Sequence, residues 1–176
     1  MNKIILYREE SCQGESVTIQ NTIADLSAVA FSSSASSLKV VGLHWVAYKE
    51  PDLKGEFNIY GQASYNNLGT MDKEIASLRL VTEKLDQPQI TLYSEVNFQG
   101  RSANFQKSSD DVSTSGLTKV SSQKKVEGVW VLYDDTQCKG NRMITFAGDE
   151  IADYQQAGWK GTVASLHCLK SSDKVV

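Results

Sequence analysis

The chain has 176 residues, 40% of them hydrophobic and 22% charged, with a net charge of −3. That balance is ordinary for a soluble globular protein, and it gives no electrostatic reason to expect nucleic acid or an anionic membrane as a partner. No apolar run approaches bilayer length, and Met1 to Leu6 is too short an apolar start for a signal peptide, so no membrane span and a cytoplasmic location are expected, with export by a non-standard route as the alternative.

The first predicted element is a strand at Ile4-Ile5-Leu6, running into Tyr7. Residues one and three before the tyrosine are apolar, the period-two mark of a strand that faces a core. A second strand is expected around Val17 and Ile19, after a loop from Arg8 to Gln13 that is too long for a two-residue turn. The hairpin must therefore fold back on itself, with Gly14 supplying a positive φ that other residues resist. Ser37-Leu38-Lys39-Val40 closes the unit.

The spelling then returns three times. Trp45-Val46-Ala47 precedes Tyr48, followed by Gly55, Tyr60 and a close at Ser77-Leu78-Arg79-Leu80. Residues 83–88 read as an exposed extended linker, charged and ending in Pro88. Ile90-Thr91-Leu92 then precedes Tyr93, with Gly100, Ala103, Phe105 and Ser122 after it. Trp130-Val131-Leu132 precedes Tyr133, with Gly140, Met143 and Ser165-Leu166-His167-Cys168 after it. Residues 171–176 read as a loose tail.

In every copy an acid stands two residues after the tyrosine (Glu9, Glu50, Glu95, Asp135) and a glycine seven after it. Tryptophan marks copies two and four, where one and three carry Ile4 and Ile90. The order is A-B-A-B, and a repeat near forty residues means one supersecondary unit used repeatedly. The fold class expected is all-β: two Greek-key β-sandwich domains, 1–82 and 89–170, each of two motifs. The serines Ser37, Ser77, Ser122 and Ser165 are expected to satisfy backbone groups of the folded hairpin beside them, rather than to act as nucleophiles.

Chemistry is otherwise sparse. Cys12, Cys138 and Cys168 cannot all pair, and reduced thiols are expected. Cys12 and Cys138 take the positions of Leu53 and Phe98 in the other copies, so an apolar role is expected for their sulfurs. His44 and His167 have no metal-ligand spacing, and no phosphate loop, dinucleotide glycine pattern or zinc-protease helix occurs. No enzyme and no required cofactor are expected.

The tyrosine–acid–glycine hairpin, the fixed serine and the alternate tryptophan together resemble the βγ-crystallins, over the whole chain to about Lys170. Pro88 to Tyr93 and Ile151-Ala152-Asp153-Tyr154 look most like non-lens members of the epidermis differentiation-specific type. The resemblance implies two domains that pair through second-motif residues. The sequence carries its own sign of that pairing. On the face opposite the core, the B copies have Val46, Ile59, Val131 and Ile144, where the A copies have Thr18, Thr91 and Asn104. Such a patch wants covering, between domains of one chain or in a homodimer.

Calcium-binding relatives in that family carry Asn/Asp-Asn/Asp-x-x-Ser/Thr-Ser, ending at the fixed serine. The matching stretches here, Ser32 to Ser37, Asp72 to Ser77, Leu117 to Ser122 and Lys160 to Ser165, all lack the paired acid or amide. Ser36 and Ser121 keep the penultimate hydroxyl and are weak candidates, because calcium needs several oxygens. Asp110-Asp111-Val112-Ser113-Thr114-Ser115 spells the pattern but lies out of register, and reads as a solvated loop.

The function expected is a non-enzymatic structural or stress-related protein with at most weak calcium binding. Two alternatives stand beside it. One is a recognition or regulatory module that partners a pore-forming, aerolysin-like protein or a membrane glycan. Non-lens relatives often carry such a pore-forming module at the C-terminus, and none is expected within these 176 residues. The other is a true calcium-binding module.

Overall fold

The computed structural model describes residues 1–159 and 161–176. Lys160, which heads the fourth stretch compared with the calcium pattern, lies outside the described residues. The chain forms two compact units, one of Met1–Thr82 with Ser171–Val176, the other of Glu83–Lys170.

Unit 1 contains β1 (Lys3–Glu9), β2 (Gln13–Ile19), β3 (Ser37–Val41), β4 (Trp45–Glu50), β5 (Lys54–Tyr60), β6 (Ala63–Tyr65) and β7 (Ser77–Leu80). They make two antiparallel sheets, β2-β1-β3-β6 and β5-β4-β7. Unit 2 contains β8 (Gln89–Glu95), β9 (Gln99–Phe105), β10 (Ser122–Glu127), β11 (Val129–Asp135), β12 (Lys139–Phe146) and β13 (Ser165–Cys168). Its sheets are β10-β8-β9 and β12-β11-β13. The molecule is all-β, and the expected Greek-key architecture is present in both units.

The period-two pattern explains where the cores lie. Ile4 and Leu6, Trp45 and Ala47, Ile90 and Leu92, and Trp130 and Leu132 are all fully buried. In unit 1 they pack with Leu26, Phe31, Leu38, Met71, Ile75 and Leu78. In unit 2 they pack with Val112, Leu117, Val126, Tyr154, Val163 and Leu166.

The copies interlock within each unit. β6 belongs to the second copy but pairs with β3 of the first, Leu38 opposite Tyr65. Reciprocally, Ile23 of the first copy bridges Leu78 in β7. Unit 2 repeats the exchange through Gln123 with Ile151 and Ser109 with Leu166. Neither copy closes its own sheet.

Short 3₁₀ turns at Leu26–Val29 and Val112–Ser115 fill the A copies, each capped by an aspartate at its start. Asp25 accepts from the Ser27 N–H (2.9 Å) and Asp111 from the Ser113 N–H (3.0 Å). The stretch Asp110 to Ser115 is therefore a capped turn and not merely a solvated loop. The Ser113 hydroxyl also donates to Asp111 (2.6 Å), so the aspartate is committed locally.

The loose tail expected at 171–176 is corrected by the structure. Residues 171–176 lie along the outer edge of β5 and bridge it through Tyr60 and Val175. Ile59 and Val176 exchange both backbone hydrogen bonds (2.7 and 2.9 Å), and the Gly61 N–H donates to the Lys174 carbonyl (2.5 Å). His44 Nε2 sits 2.8 Å from the Asp173 carbonyl, and Lys174 Nζ donates to Gln62 O (2.9 Å). A free sheet edge with unpaired N–H groups is a favourable dock for any extended segment, which is why six residues without an apolar pattern find a place.

Unit 2 holds a buried polar chain. The Tyr154 hydroxyl donates to Gln123 Oε1 (2.8 Å), and Gln123 Nε2 donates to Thr145 Oγ1 (2.8 Å). The Thr145 hydroxyl then donates to Asp149 Oδ2 (3.1 Å). Burial pushes the Tyr154 phenol far above its ordinary pKa, so it stays a donor. Tyr154→Phe should cost about 1–3 kcal/mol, because Gln123 keeps a buried acceptor without a partner. Urea unfolding followed through unit 2 measures it.

Candidate functional site: one latched hairpin used four times

The conspicuous residues of the repeat converge on a single geometry. In each copy the two-stranded register shifts between the tyrosine and the acid: Tyr7/Glu9, Tyr48/Glu50, Tyr93/Glu95 and Tyr133/Asp135. Four and five residues after the tyrosine stand two residues in the left-handed region, then the glycine at seven. The pairs are Ser11 and Cys12, Asp52 and Leu53, Asn97 and Phe98, Gln137 and Cys138, with φ between 57° and 64°. Gly14, Gly55, Gly100 and Gly140 follow at 77°, 83°, 79° and 85°.

The fixed serine locks that bend. In copy one the Ser37 hydroxyl donates to the Glu9 carbonyl (2.5 Å) and accepts from the Cys12 N–H (2.9 Å). Ser77 does the same with Glu50 O (2.6 Å) and Leu53 N–H (3.1 Å). Ser122 joins Glu95 O (2.6 Å) and Phe98 N–H (3.1 Å). Ser165 joins Asp135 O (2.5 Å) and Cys138 N–H (2.9 Å). All four serines are 0% exposed. Each hydroxyl gives its one proton to the hairpin backbone and takes one back, so none is presented to a substrate.

The residue before each latch serine adds a backbone bond. Ser36, Ala76, Ser121 and Ala164 donate their N–H to the carbonyls of Tyr7, Tyr48, Tyr93 and Tyr133, all at 2.8 Å. Ser36 and Ser121, the weak metal candidates, are thus placed by the same closure. Among the described residues, no three His, Cys, Asp or Glu side chains group as metal ligands would.

Cys12 and Cys138 sit at the second left-handed position, half-buried, and Cys168 is buried, all three outside any disulfide. Burial raises the Cys138 thiol above its ordinary pKa, and the nearby Asp110 charge pushes the same way. His44 touches the docked segment, and His167, in β13, lies 3.4 Å from the Ser108 hydroxyl through Nδ1.

The proposed pairing residues fall into two cross-strand pairs. Val46 faces Ile59 across β4 and β5, and Val131 faces Ile144 across β11 and β12. Val46, Ile59 and Val131 are buried and Ile144 is half-buried. The A copies put Thr18 opposite Ile5 and Asn104 opposite Thr91, where Asn104 Nδ2 donates to Thr91 Oγ1 (2.9 Å).

Sequence reasoning missed three features: the left-handed residue pair, the segment docked on β5, and the ammonium of Lys73, which meets the Arg8 and Ser34 carbonyls. Only Gly61 hinted at the second.

Comparison with known proteins agrees with this geometry. The chain is 27% identical over 171 residues to an epidermal differentiation-specific protein of Cynops pyrrhogaster, covering 97% of this chain and 51% of that protein. It is 29% identical over 155 residues to human beta/gamma crystallin domain-containing protein 1, covering 82% of this chain and 7% of that one. The chain thus spans about half of the first relative and a small part of the second. Among solved structures it is similar to a beta gamma crystallin from Ciona intestinalis, with a TM-score of 0.44, 23% identity, and coverage of 45% of this chain and 99% of that one. Geodin, from Geodia cydonium, matches at a TM-score of 0.41 and 19% identity over 96% of this chain and 99% of its own. The Beta/Gamma crystallin profile matches residues 3–81 and again 89–169, and with the bend, the latch and the strand exchange repeated in both units, this chain belongs to the beta/gamma crystallin family.

Proposed function

We propose that this chain is a passive structural or stress-related module that holds its shape without a metal ion. The observation that carries this is the latch itself: in all four copies the bend is closed by a serine hydroxyl that gives its proton to one backbone group and takes one from another. Asp111, the acid best placed by spelling, spends its carboxylate on a 3₁₀ cap. The stretches before the latches lack the paired acids a calcium site draws on. In the same reading Val46, Ile59, Val131 and Ile144 form a pairing surface between the two domains.

The test is unfolding of the full chain in EDTA and again in millimolar CaCl2, with isothermal titration beside it. Coincident midpoints and no titration heat are expected. Micromolar calcium binding, with a matching rise in midpoint, would move the protein to the calcium-binding class.

A further inference from the structure

Lys73 stands second in the stretch Asp72 to Ser77, where the calcium pattern has an acid or amide. It belongs to the second copy, yet its N–H and its Nζ both reach across to the first. Its N–H donates to the Ala35 carbonyl (2.8 Å). Its Nζ donates to the Arg8 carbonyl (2.5 Å) and to the Ser34 carbonyl (2.9 Å). Arg8 directly follows the hairpin tyrosine Tyr7, and Ser34 lies midway along the stretch Ser32 to Ser37. The backbone at Lys73 is left-handed, at φ 58°.

Two carbonyl oxygens from separate loops, converging on one positive centre, are the kind of ligand a hard cation takes. An ammonium has three donors and no acceptor, so it can stand where such a cation would. Here the charge is carried on the protein's own side chain. Unit 2 offers the contrast. Its matching position is Gly161, which has no side chain to reach across. A hollow opens beside Gly161 instead, lined among others by Lys119, Ser121, Tyr154 and Thr162.

We propose that the Lys73 ammonium is the resident cation of unit 1. It occupies the carbonyl pair of Arg8 and Ser34, ties the second copy to the first, and closes that position to divalent metal. The inference rests on the metal-independent reading above and gives it a cause in unit 1. Its corollary is a ligand class. With the ammonium removed and a carboxylate supplied at position 73, the same oxygens take a hard divalent cation such as calcium.

The experiment compares full-length wild type, Lys73→Met, Lys73→Asp and the exposed-lysine control Lys54→Met. Each is unfolded in urea, in EDTA or in millimolar CaCl2, with hydrogen exchange of peptides from residues 1–82 and 83–170 separating the units. Lys73→Met should raise the unfolding constant of unit 1 roughly tenfold in both media, as expected for losing hydrogen bonds to a charged group. Lys73→Asp should be weakened in EDTA and recover in CaCl2, while wild type and Lys54→Met ignore calcium. Should Lys73→Asp fail to fold in EDTA, Lys73→Asn takes that arm.

A Lys73→Met variant as stable as wild type overturns the proposal, and so does an acidic or amide variant that gains no calcium response. A calcium-induced rise of wild-type unit 1 overturns it too. Calcium binding confined to unit 2 would instead defeat the metal-independent reading of the whole chain and leave Lys73 in its place.

Discussion

Ser77→Ala should destabilise unit 1 by about 2–4 kcal/mol, although it removes a single oxygen atom. The change strands two groups at once, the Glu50 carbonyl and the Leu53 N–H, both of which the hydroxyl now serves. Leaving a buried donor or acceptor unpaired costs about 1–3 kcal/mol each, and partial access of water to the bend trims the sum. The lost bonds also release Leu53 from φ 58°, a conformation that a branched apolar residue holds only when its surroundings demand it. Thermal unfolding should show a fall on the order of 10 °C for unit 1, with unit 2 unmoved. Ser165→Ala should mirror this in unit 2. A loss below about 0.5 kcal/mol would mean that the bend stands without its latch, as for an ordinary surface substitution.

Gly61→Ala is expected to free residues 171–176 from β5. An added Cβ at position 61 would lie 2.2 Å from the Asp173 carbonyl oxygen and 2.8 Å from His44 Nε2. The first of these is backbone and cannot rotate away. Displacing the segment forfeits the Ile59–Val176 pair, the Gly61–Lys174 bond and the Lys174 contact with Gln62. At about 0.5–1.5 kcal/mol per net hydrogen bond, unit 1 should lose roughly 2–4 kcal/mol. Hydrogen exchange at the Ile59 and Gly61 amides should accelerate, and carboxypeptidase should trim the end. Removing residues 171–176 should reproduce the loss, and adding Gly61→Ala to that shortened chain should cost little further. Additive effects would show that Gly61 matters for some other reason.

The legible part of this chain was its repetition. Tyr7, Tyr48, Tyr93 and Tyr133, their glycines and their serines occupy fixed spacings because the bend tolerates few residue types there. The apolar alternation before each tyrosine also reported the cores correctly, since every such residue is buried. What stayed hidden obeys different physics. The residues five after each tyrosine are Cys12, Leu53, Phe98 and Cys138, none of which favours positive φ. Their conformation is imposed from outside, by the serine that takes their N–H, so their own identities are silent about it.

The docked segment was invisible for a similar reason. Ser171 to Val176 joins β5 mainly through backbone groups, which every residue carries, and no apolar rhythm announces such pairing. Gly61 was the one trace, and an isolated glycine has many readings. Lys73 is silent in the sequence because a cation site is spelled in oxygens, and an ammonium that meets carbonyls from two other loops has no spelling of its own. Gln123 and Tyr154 lie in different parts of the chain, and only the folded sheet brings them together.

Because each copy finishes its neighbour's sheet, a single forty-residue repeat is not an autonomous folding species. Cut free, it would present an unpaired margin at β3 or β7 and half a core. Denaturation should accordingly pass through at most two cooperative steps, never four, and gene fragments carrying one copy should yield insoluble or disordered product. The heritable module of this architecture is the pair.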